Sequence, residues 1–419
     1  MSNLPRRGVA IPQFKEPAAS RAIEDIQPTG KILVPLAYGG EEATPAVALY
    51  DTVLSGSMLT QPEDGGAPAV ATVTGVFTGV TPINHPLLGR LTCAQIDCMV
   101  AAQEPPAQVR KPADMSAAEV IEAARRANII DELDGVSLCR KLEDWKESGC
   151  DFLAADGTEP EPYASSAWSV LNQRGEQVKA GLQLAARVAG ASGCHIAVRL
   201  PAKRRRPLIQ RLGADSVYQA RRRYPVDRLT RADAGVRVGR IGVQACLALL
   251  RAAAYEEAHC SCVLTVAGDA VASPRNVRVP FGTPAGAVLA YCGLSADPSY
   301  VIFGDAMTGV AASSLQDPIL PGITCLLAMR ARPAPPLRPC IGCGRCAQVC
   351  HAGLLPSEII RRLENMHYER LVPLHPEECD GCGACSYVCP AGRDVAARVM
   401  EAREAHGTIF LNWGDDDDA

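Results

Sequence analysis

One cysteine pattern, present twice near the C-terminus, constrains this chain more than any other feature. The spacing C-x2-C-x2-C-x3-C spans residues 340–350 and recurs over residues 379–389. Three thiolates two residues apart on a tight loop can each reach a different iron atom of a [4Fe–4S] cluster, and this spacing is the one that holds such clusters. Each motif also carries two glycines, which lack a Cβ and let a loop wrap closely around inorganic sulfide. The sequence therefore predicts two [4Fe–4S] clusters.

Two other uses of these cysteines are less consistent with the sequence. Zinc motifs usually supply their ligands as separated pairs, and a tetrahedral site has no use for a run of four cysteines. Disulfides are unusual in a chain of 419 residues with no secretory signal.

The doubled motif resembles two-cluster ferredoxins, in which the fourth cysteine of each motif opens a helix and binds the other cluster. This resemblance implies a crossed ligand set, although each motif could also keep its own four cysteines. The implied ligands are Cys340, Cys343, Cys346 and Cys389 for cluster 1, and Cys379, Cys382, Cys385 and Cys350 for cluster 2.

Composition indicates which partners and which cellular compartment the chain suits. The formal net charge is −4, so no overall field selects nucleic acid or a membrane surface. Ten of the 18 cysteines lie outside the motifs, mostly in apolar runs, and we expect buried free thiols in a reducing cytoplasm. No stretch approaches the roughly 18 apolar residues of a membrane span. The residues 415–418 form an acidic tail.

The order of sequence patterns predicts an α+β protein with several domains. Short strands separated by turn residues indicate a barrel-sandwich-like β domain, strand–helix alternation indicates an α/β domain, and a small β-grasp-like unit precedes the helical cluster domain. The predicted boundaries are 1–30 for an N-terminal arm, 31–105 for the β domain, 113–255 for the α/β domain, 256–330 for the small β unit, 333–400 for the two-cluster ferredoxin domain and 401–419 for the tail.

Several segments resemble the RnfC family, which provides the C subunit of the Rnf electron-transport complex. They include Val263–Val277, the run Gly304-Asp-Ala-Met-Thr-Gly309, the run Thr324-Cys-Leu-Leu-Ala328, and Glu159-Pro-Glu-Pro-Tyr163. Related families are the cobalamin-reductase subunit of propanediol utilisation and the electron-transfer protein that accompanies proline reductase. The small β unit would then be of the soluble-ligand-binding (SLBB) type, and the α/β domain would resemble the flavoprotein subunit of respiratory complex I.

The resemblance also implies an FMN and NADH site in the α/β domain, with Gly135, Lys141, Glu159 and Glu161 as its remaining residues. The family's glycine-rich loop is replaced here by Asp131-Glu-Leu-Asp-Gly-Val-Ser-Leu-Cys-Arg-Lys141. Glycines let backbone N–H groups approach a phosphate, whereas three carboxylates beside it would repel a dianion. The loss is concentrated where flavin and nicotinamide would bind, and we expect FMN to be absent.

We therefore expect an electron-transfer subunit that relays single electrons through two clusters between redox proteins of a larger complex. The relay needs no catalytic acid or base, and no catalytic residue is assigned. The alternative is an NADH-oxidising, FMN-dependent dehydrogenase subunit with a divergent loop. The resemblance places the chain in the cytoplasm, peripheral to a membrane complex.

Two smaller features carry open interpretations. The basic runs at 203–206 and 221–223 are either solvated surface or a docking patch for an acidic redox partner. His351 follows the fourth cysteine of the first motif, and could hydrogen-bond to cluster sulfur or lie on the surface. Nucleic-acid binding is not expected, because aromatic residues are sparse around the basic runs.

Overall fold

The computed structural model is a mixed α+β protein with three β-sheets among the residues it describes. These residues are 7–37, 43–61, 66–99, 108–220, 223–225, 236–295, 298, 300–331 and 336–413. The acidic tail at 415–418 and Arg221 and Arg222 of the second basic run lie outside them. No helix in the described part of the chain is long and apolar enough to cross a membrane.

The first sheet is a four-stranded antiparallel β domain. Its long central hairpin pairs without a break from the end at His85 and Gly89 back to a register shift between Phe77 and Gly79. Alternating residues of its strands, including Ile32, Val34 and Ile96, form the buried core of this domain. The strands, in the order β2-β5-β4-β3, are β2 (Lys31–Pro35), β3 (Thr52–Val53), β4 (Gly75–His85) and β5 (Gly89–Cys98).

The second sheet is parallel, and helices alternate with its strands along the chain. Its order is β8-β7-β6-β9, with β6 (Phe152–Gly157), β7 (Gly193–Val198), β8 (Val217–Gln219) and β9 (Val238–Gly242). The associated helices are α2 (Ala117–Arg126), α3 (Leu138–Ser148), α4 (Ser166–Ala189), α5 (Ala202–Leu212) and α6 (Val243–Tyr255).

Two features of these helices follow from local sequence. Ser116 and Glu119 form a capping box that starts α2. Helices α4 and α6 pack so closely at Gly181 that a Cβ there would lie 1.9 Å from the carbonyl oxygen of Cys246. Only glycine fits this helix crossing.

The third sheet has six strands and includes a piece of the N-terminal segment. Its order is β1-β11-β10-β14-β12-β13, and β1 pairs parallel with β11. The segment before β1 also contains helix α1 (Glu16–Ala19), and helix α7 (Ala285–Tyr291) covers the sheet. The strands are β1 (Glu24–Asp25), β10 (Ser261–Ala267), β11 (Arg275–Pro280), β12 (Tyr300–Phe303), β13 (Val310–Ala311) and β14 (Cys325–Met329).

The C-terminal domain is helical and carries both cysteine motifs. Its helices are α8 (Arg345–Val349), α9 (Pro356–Glu364), α10 (Ala384–Tyr387) and α11 (Val395–Trp413). The prediction that the fourth cysteine of each motif opens a helix is wrong. The third cysteines, Cys346 and Cys385, lie inside α8 and α10, and the fourth cysteines follow these helices. The helix starts one residue before the third cysteine because the preceding glycine provides the turn into it.

Candidate metal centre

Four cysteines from both motifs line one cavity in the C-terminal domain. Three belong to the second motif and one to the first, which is the combination that the ferredoxin resemblance implies for cluster 2. The four cysteines are Cys350, Cys379, Cys382 and Cys385. His351 and Asp380 line the same cavity. All eighteen cysteines of the chain are free thiols.

The two motif loops share one backbone conformation. Gly342 and Gly344 have φ angles of 66° and 70°, and Gly381 and Gly383 have φ angles of 71° and 73°. These left-handed values favour glycine and curl each loop around a common centre before the short helix begins. Helices α8 and α10 pack against each other, so the two loops face one another across the domain.

The other four motif cysteines lie nearer to solvent. Cys346 and Cys389 are half-buried and pack on the helical core formed by residues such as Ile359 and Val399. Cys340 and Cys343 are exposed in the loop that precedes α8.

The chemistry of the cavity fits an iron–sulfur cluster. Burial, with smaller contributions from neighbouring charges, raises the pKa of the Cys382 and Cys385 thiols to about 12. Without metal these groups are protonated thiols, and metal binding would release their protons. Soft sulfur ligands in a largely apolar setting are the donors that iron–sulfur clusters require.

A hydrogen-bonded junction joins the second motif to the other domains. The Tyr224 hydroxyl donates to the main-chain oxygen of Cys382 and lies 3.2 Å from a carboxylate oxygen of Glu161. Glu161, which is buried, also accepts from the Met307 N–H and the Thr308 hydroxyl, both at 2.6 Å. Glu161 thus binds Tyr224 and the segment at Met307 and Thr308, and Tyr224 makes the contact to the second motif.

Glu159, the second glutamate predicted for a nucleotide site, caps a helix. Its carboxylate accepts from the backbone N–H groups of Ala167 at 2.8 Å and Trp168 at 3.1 Å. Negative charge at a helix N-terminus is stabilising, and here it lies at the start of α4. Because this capping residue lies seven residues before the helix, the start of α4 could not be recognised from the residues next to it.

Lys141 and Gly135 lie in a loop that is closed by its own charges. The Lys141 ammonium donates to Asp131 at 2.6 Å and to Asp134 at 2.9 Å, and the Gly135 N–H donates to the Asp131 carbonyl at 2.9 Å. Lys141 is therefore already neutralised by carboxylates.

Glu132, in the same loop, fills the N-terminus of α6. Its carboxylate accepts from the N–H groups of Gln244 at 2.6 Å and Ala245 at 3.0 Å. Burial raises the pKa of Glu132 to about 8, with the nearby Asp131 as a second cause. A phosphate needs such free N–H groups, so this loop does not fit the phosphate of FMN. Of the four predicted FMN and NADH residues, Gly135 and Lys141 lie in the 131–141 loop, and Glu159 and Glu161 lie in the loop after β6.

The structure also contains a large cavity that sequence analysis missed. It has a volume of about 690 Å³ and lies where the loops after β6 and β7 meet the N-terminal segment. Phe14 of that segment stacks on Tyr163 with ring centroids 5.3 Å apart, and Lys15 donates to the Glu159 carbonyl. The segment's proline-rich, polar sequence gave no signal that it packs here.

Other predicted features have plain structural roles. His351 lies 2.8 Å from the Asp380 carboxylate, so its ring pairs with an acid beside the cysteine cavity. The first basic run lies on α5, where Lys203 and Arg204 pair with Glu16 of the N-terminal segment. Seven of the ten remaining cysteines are buried and three are half-buried, as expected for packed thiols.

Two family models match the chain. The RnfC barrel sandwich hybrid domain matches residues 5–100, and a 4Fe–4S dicluster domain matches residues 339–393. The first covers the antiparallel sheet, and the second covers both cysteine motifs.

The curated relatives agree with these matches. The C subunit of an ion-translocating oxidoreductase complex from Pseudomonas aeruginosa is 28% identical over 390 residues, covering 84% of this chain and 49% of the relative. The C subunit of the Na⁺-translocating ferredoxin:NAD⁺ oxidoreductase complex from Acetobacterium woodii is 27% identical over 388 residues, covering 84% and 85%. The chain spans about half the length of the first of these relatives.

Among solved structures, an NAD⁺-reducing [NiFe]-hydrogenase in its H₂-reduced state aligns with a TM-score of 0.47 at 18% identity, covering 75% of this chain and 70% of that one. By sequence, the chain contains matches to the RnfC barrel sandwich hybrid domain and to a 4Fe–4S dicluster domain, and it is similar along most of its length to the C subunits of ion-translocating oxidoreductase complexes.

Proposed function

We propose that this chain is an iron–sulfur electron-transfer subunit of a larger oxidoreductase complex. The observation that carries the proposal is the cavity lined by four free cysteines drawn from both motifs. Bound [4Fe–4S] clusters would supply one-electron redox chemistry. The chain's own residues would hold the clusters, shield them from water and fix their position relative to the other domains.

The ligand sets follow from this cavity. Cluster 2 takes Cys350, Cys379, Cys382 and Cys385, which share the cavity wall. By the pseudo-symmetry of the two loops, cluster 1 takes the remaining set, Cys340, Cys343, Cys346 and Cys389. The matching glycine conformations of the two loops support this assignment.

The partners are other subunits of a complex like those of the relatives. The Acetobacterium woodii relative is named as a subunit of a ferredoxin:NAD⁺ oxidoreductase complex. By analogy, this chain relays electrons between a low-potential donor and an acceptor of the nicotinamide class, from a peripheral position on the cytoplasmic face of a membrane complex.

The α/β domain serves as a rigid docking body without its own flavin. Glu132 and Asp131 occupy the backbone N–H groups at the start of α6, and Lys141 is held by two carboxylates. Electrons then reach the clusters from a partner protein instead of from an FMN in this chain.

Anaerobic purification with metal and flavin analysis tests this function. We expect about eight iron and eight sulfide per chain, as two [4Fe–4S] clusters require, and no stoichiometric FMN. Cys382→Ser should lower the iron content, whereas Cys98→Ser, a half-buried cysteine outside the motifs, should not. Zinc, disulfides or the absence of iron would refute the proposal. Stoichiometric FMN with rapid bleaching of the clusters by NADH would instead establish the dehydrogenase alternative.

A further inference from the structure

The two cysteine motifs lie in regions of opposite charge. Residues 318–357 contain four arginines and no aspartate or glutamate, and the first motif lies inside this stretch. The second motif contains Asp380 and is flanked by Glu377, Glu378 and Asp394, with one arginine, Arg393, in the same stretch. The net charge of the whole chain conceals this contrast.

The cysteine loop of the second motif is covered by the body of the protein. The Cys382 carbonyl accepts from Tyr224, and a Cβ on Gly383 would lie 3.2 Å from the Met307 carbonyl oxygen. A cluster held mainly by this motif is therefore the inner one, next to the other domains.

The cysteine loop of the first motif faces outward with apolar side chains around its cysteines. Leu337 is 78% exposed and Ile341 is 67% exposed, and they flank the exposed Cys340. Large apolar side chains at such exposures are typical of contact surfaces when they occur together.

Two unpaired arginines complete this surface. Arg338 and Arg345 are exposed, and neither side chain forms an ion pair with a carboxylate in the described part of the chain. The backbone N–H of Arg338 donates to the Ala391 carbonyl at 3.0 Å, which ties this segment to the domain. We call the surface the outer face; it consists of Leu337, Arg338, Cys340, Ile341, Cys343 and Arg345.

We propose that the outer face is the docking surface for a redox protein with an acidic contact region, which exchanges electrons with the cluster held by Cys340, Cys343, Cys346 and Cys389. This inference rests on the proposed function. One electron passes between that cluster and the partner's redox centre, so one is oxidised by one unit as the other is reduced, and no bond or proton changes place. Exposed thiolate ligands shorten the electron path, and the arginines steer an anionic partner.

The preference of the outer face for an anionic partner can be tested without knowing the partner's identity. Two small oxidants of opposite charge take the partner's place. Ferricyanide, a trianion, and hexaammineruthenium(III), a trication, are mixed with the anaerobically reduced full-length protein, and reoxidation is followed by stopped-flow absorbance at low and high salt. The test variant is Arg338→Gln with Arg345→Gln. The matched control is Arg205→Gln with Arg206→Gln, which removes the same charge from α5.

We expect the test variant to react about five to ten times more slowly with ferricyanide at low salt and faster with the ruthenium complex, with the difference vanishing at high salt. The control should change neither rate. A redox titration provides a second measurement, because loss of nearby positive charge should lower the potential of one of the two clusters in the test variant only.

Unchanged rates and potentials in the test variant, or equal changes in the control, would overturn the proposal. Sedimentation analysis tests whether a second copy of the chain binds the outer face instead. A dimer that dissociates in the variant with Leu337→Ser and Ile341→Ser would show this and would contradict the proposal. Iron and sulfide analysis of the same samples separates these outcomes from failure of the proposed function, which would show as missing clusters.

Discussion

At the scale of single residues, the charged side chains of the loop at 131–141 pair with each other, where a nucleotide-binding loop would leave groups free for a phosphate. Asp131 is fully buried, and Lys141, whose side chain is 11% exposed, is its cationic partner at 2.6 Å. Buried ion pairs add little net stability, but removing one member leaves an uncompensated charge in a low-dielectric setting. The three acids of this loop could be recognised in the sequence as unsuited to phosphate. The sequence did not reveal that these acids pair with Lys141 and with the start of α6, because those contacts depend on tertiary packing.

We expect Lys141→Met to lower the free energy of unfolding by about 3–5 kcal/mol, because Asp131 loses its buried counter-ion. Denaturant unfolding followed by circular dichroism measures this change. Lys203→Met is the control, since Lys203 pairs with Glu16 at 3.1 Å in a solvent-exposed setting and should cost at most about 1 kcal/mol. Equal losses in the two variants would contradict the buried-pair explanation.

At the scale of elements, helix α4 is the central support of the α/β domain. It packs against α6 through Gly181 and begins beneath the Glu159 carboxylate. The start of α2 can be recognised in the sequence, because its capping box lies within four consecutive residues. The start of α4 cannot, because its cap comes from a separate loop. The strand β1 was missed for a related reason: two residues carry no periodic pattern, and only pairing with β11 makes them a strand.

Gly181→Ala should destabilise the protein by about 1–3 kcal/mol, the usual cost of overpacking, because its Cβ would overlap the Cys246 carbonyl. Gly175→Ala in the same helix is the control. Its Cβ would meet the guanidinium end of the Arg211 side chain at 3.0 Å and no backbone atom, so we expect a smaller loss of stability, since alanine also favours helix over glycine. Thermal unfolding of both variants measures the difference, and a neutral Gly181→Ala would mean that the helices can separate without cost.

At the scale of the whole molecule, the C-terminal domain is held against the body by Tyr224. Nothing in the sequence indicated that the Tyr224 hydroxyl reaches the Cys382 loop. The two cysteine motifs and the mixed α+β fold class were accessible from the sequence, because cluster spacing and strand–helix alternation are local patterns. Contacts between domains leave no such pattern.

We expect Tyr224→Phe to loosen the C-terminal domain without removing its clusters, because the lost hydroxyl contacts a carbonyl and no thiolate. Hydrogen exchange over residues 379–389 should become faster, while iron content stays constant. Tyr291→Phe removes a comparable hydroxyl, bonded to Glu24 at 3.0 Å on the surface, and should leave exchange in this region unchanged. Protection that is identical in both variants would show that Tyr224 does not restrain the loop.

The contacts of the N-terminal segment have a consequence for biosynthesis. The backbone N–H of Gly8 donates to the Val349 carbonyl at 2.9 Å, and Val9 pairs with Tyr224. These contacts join segments that lie far apart in the sequence, so they can form only after the domains between them have been synthesised. Because Val349 directly precedes Cys350, a ligand proposed for cluster 2, we expect the position of the segment at Gly8 to depend on whether that cysteine holds a cluster.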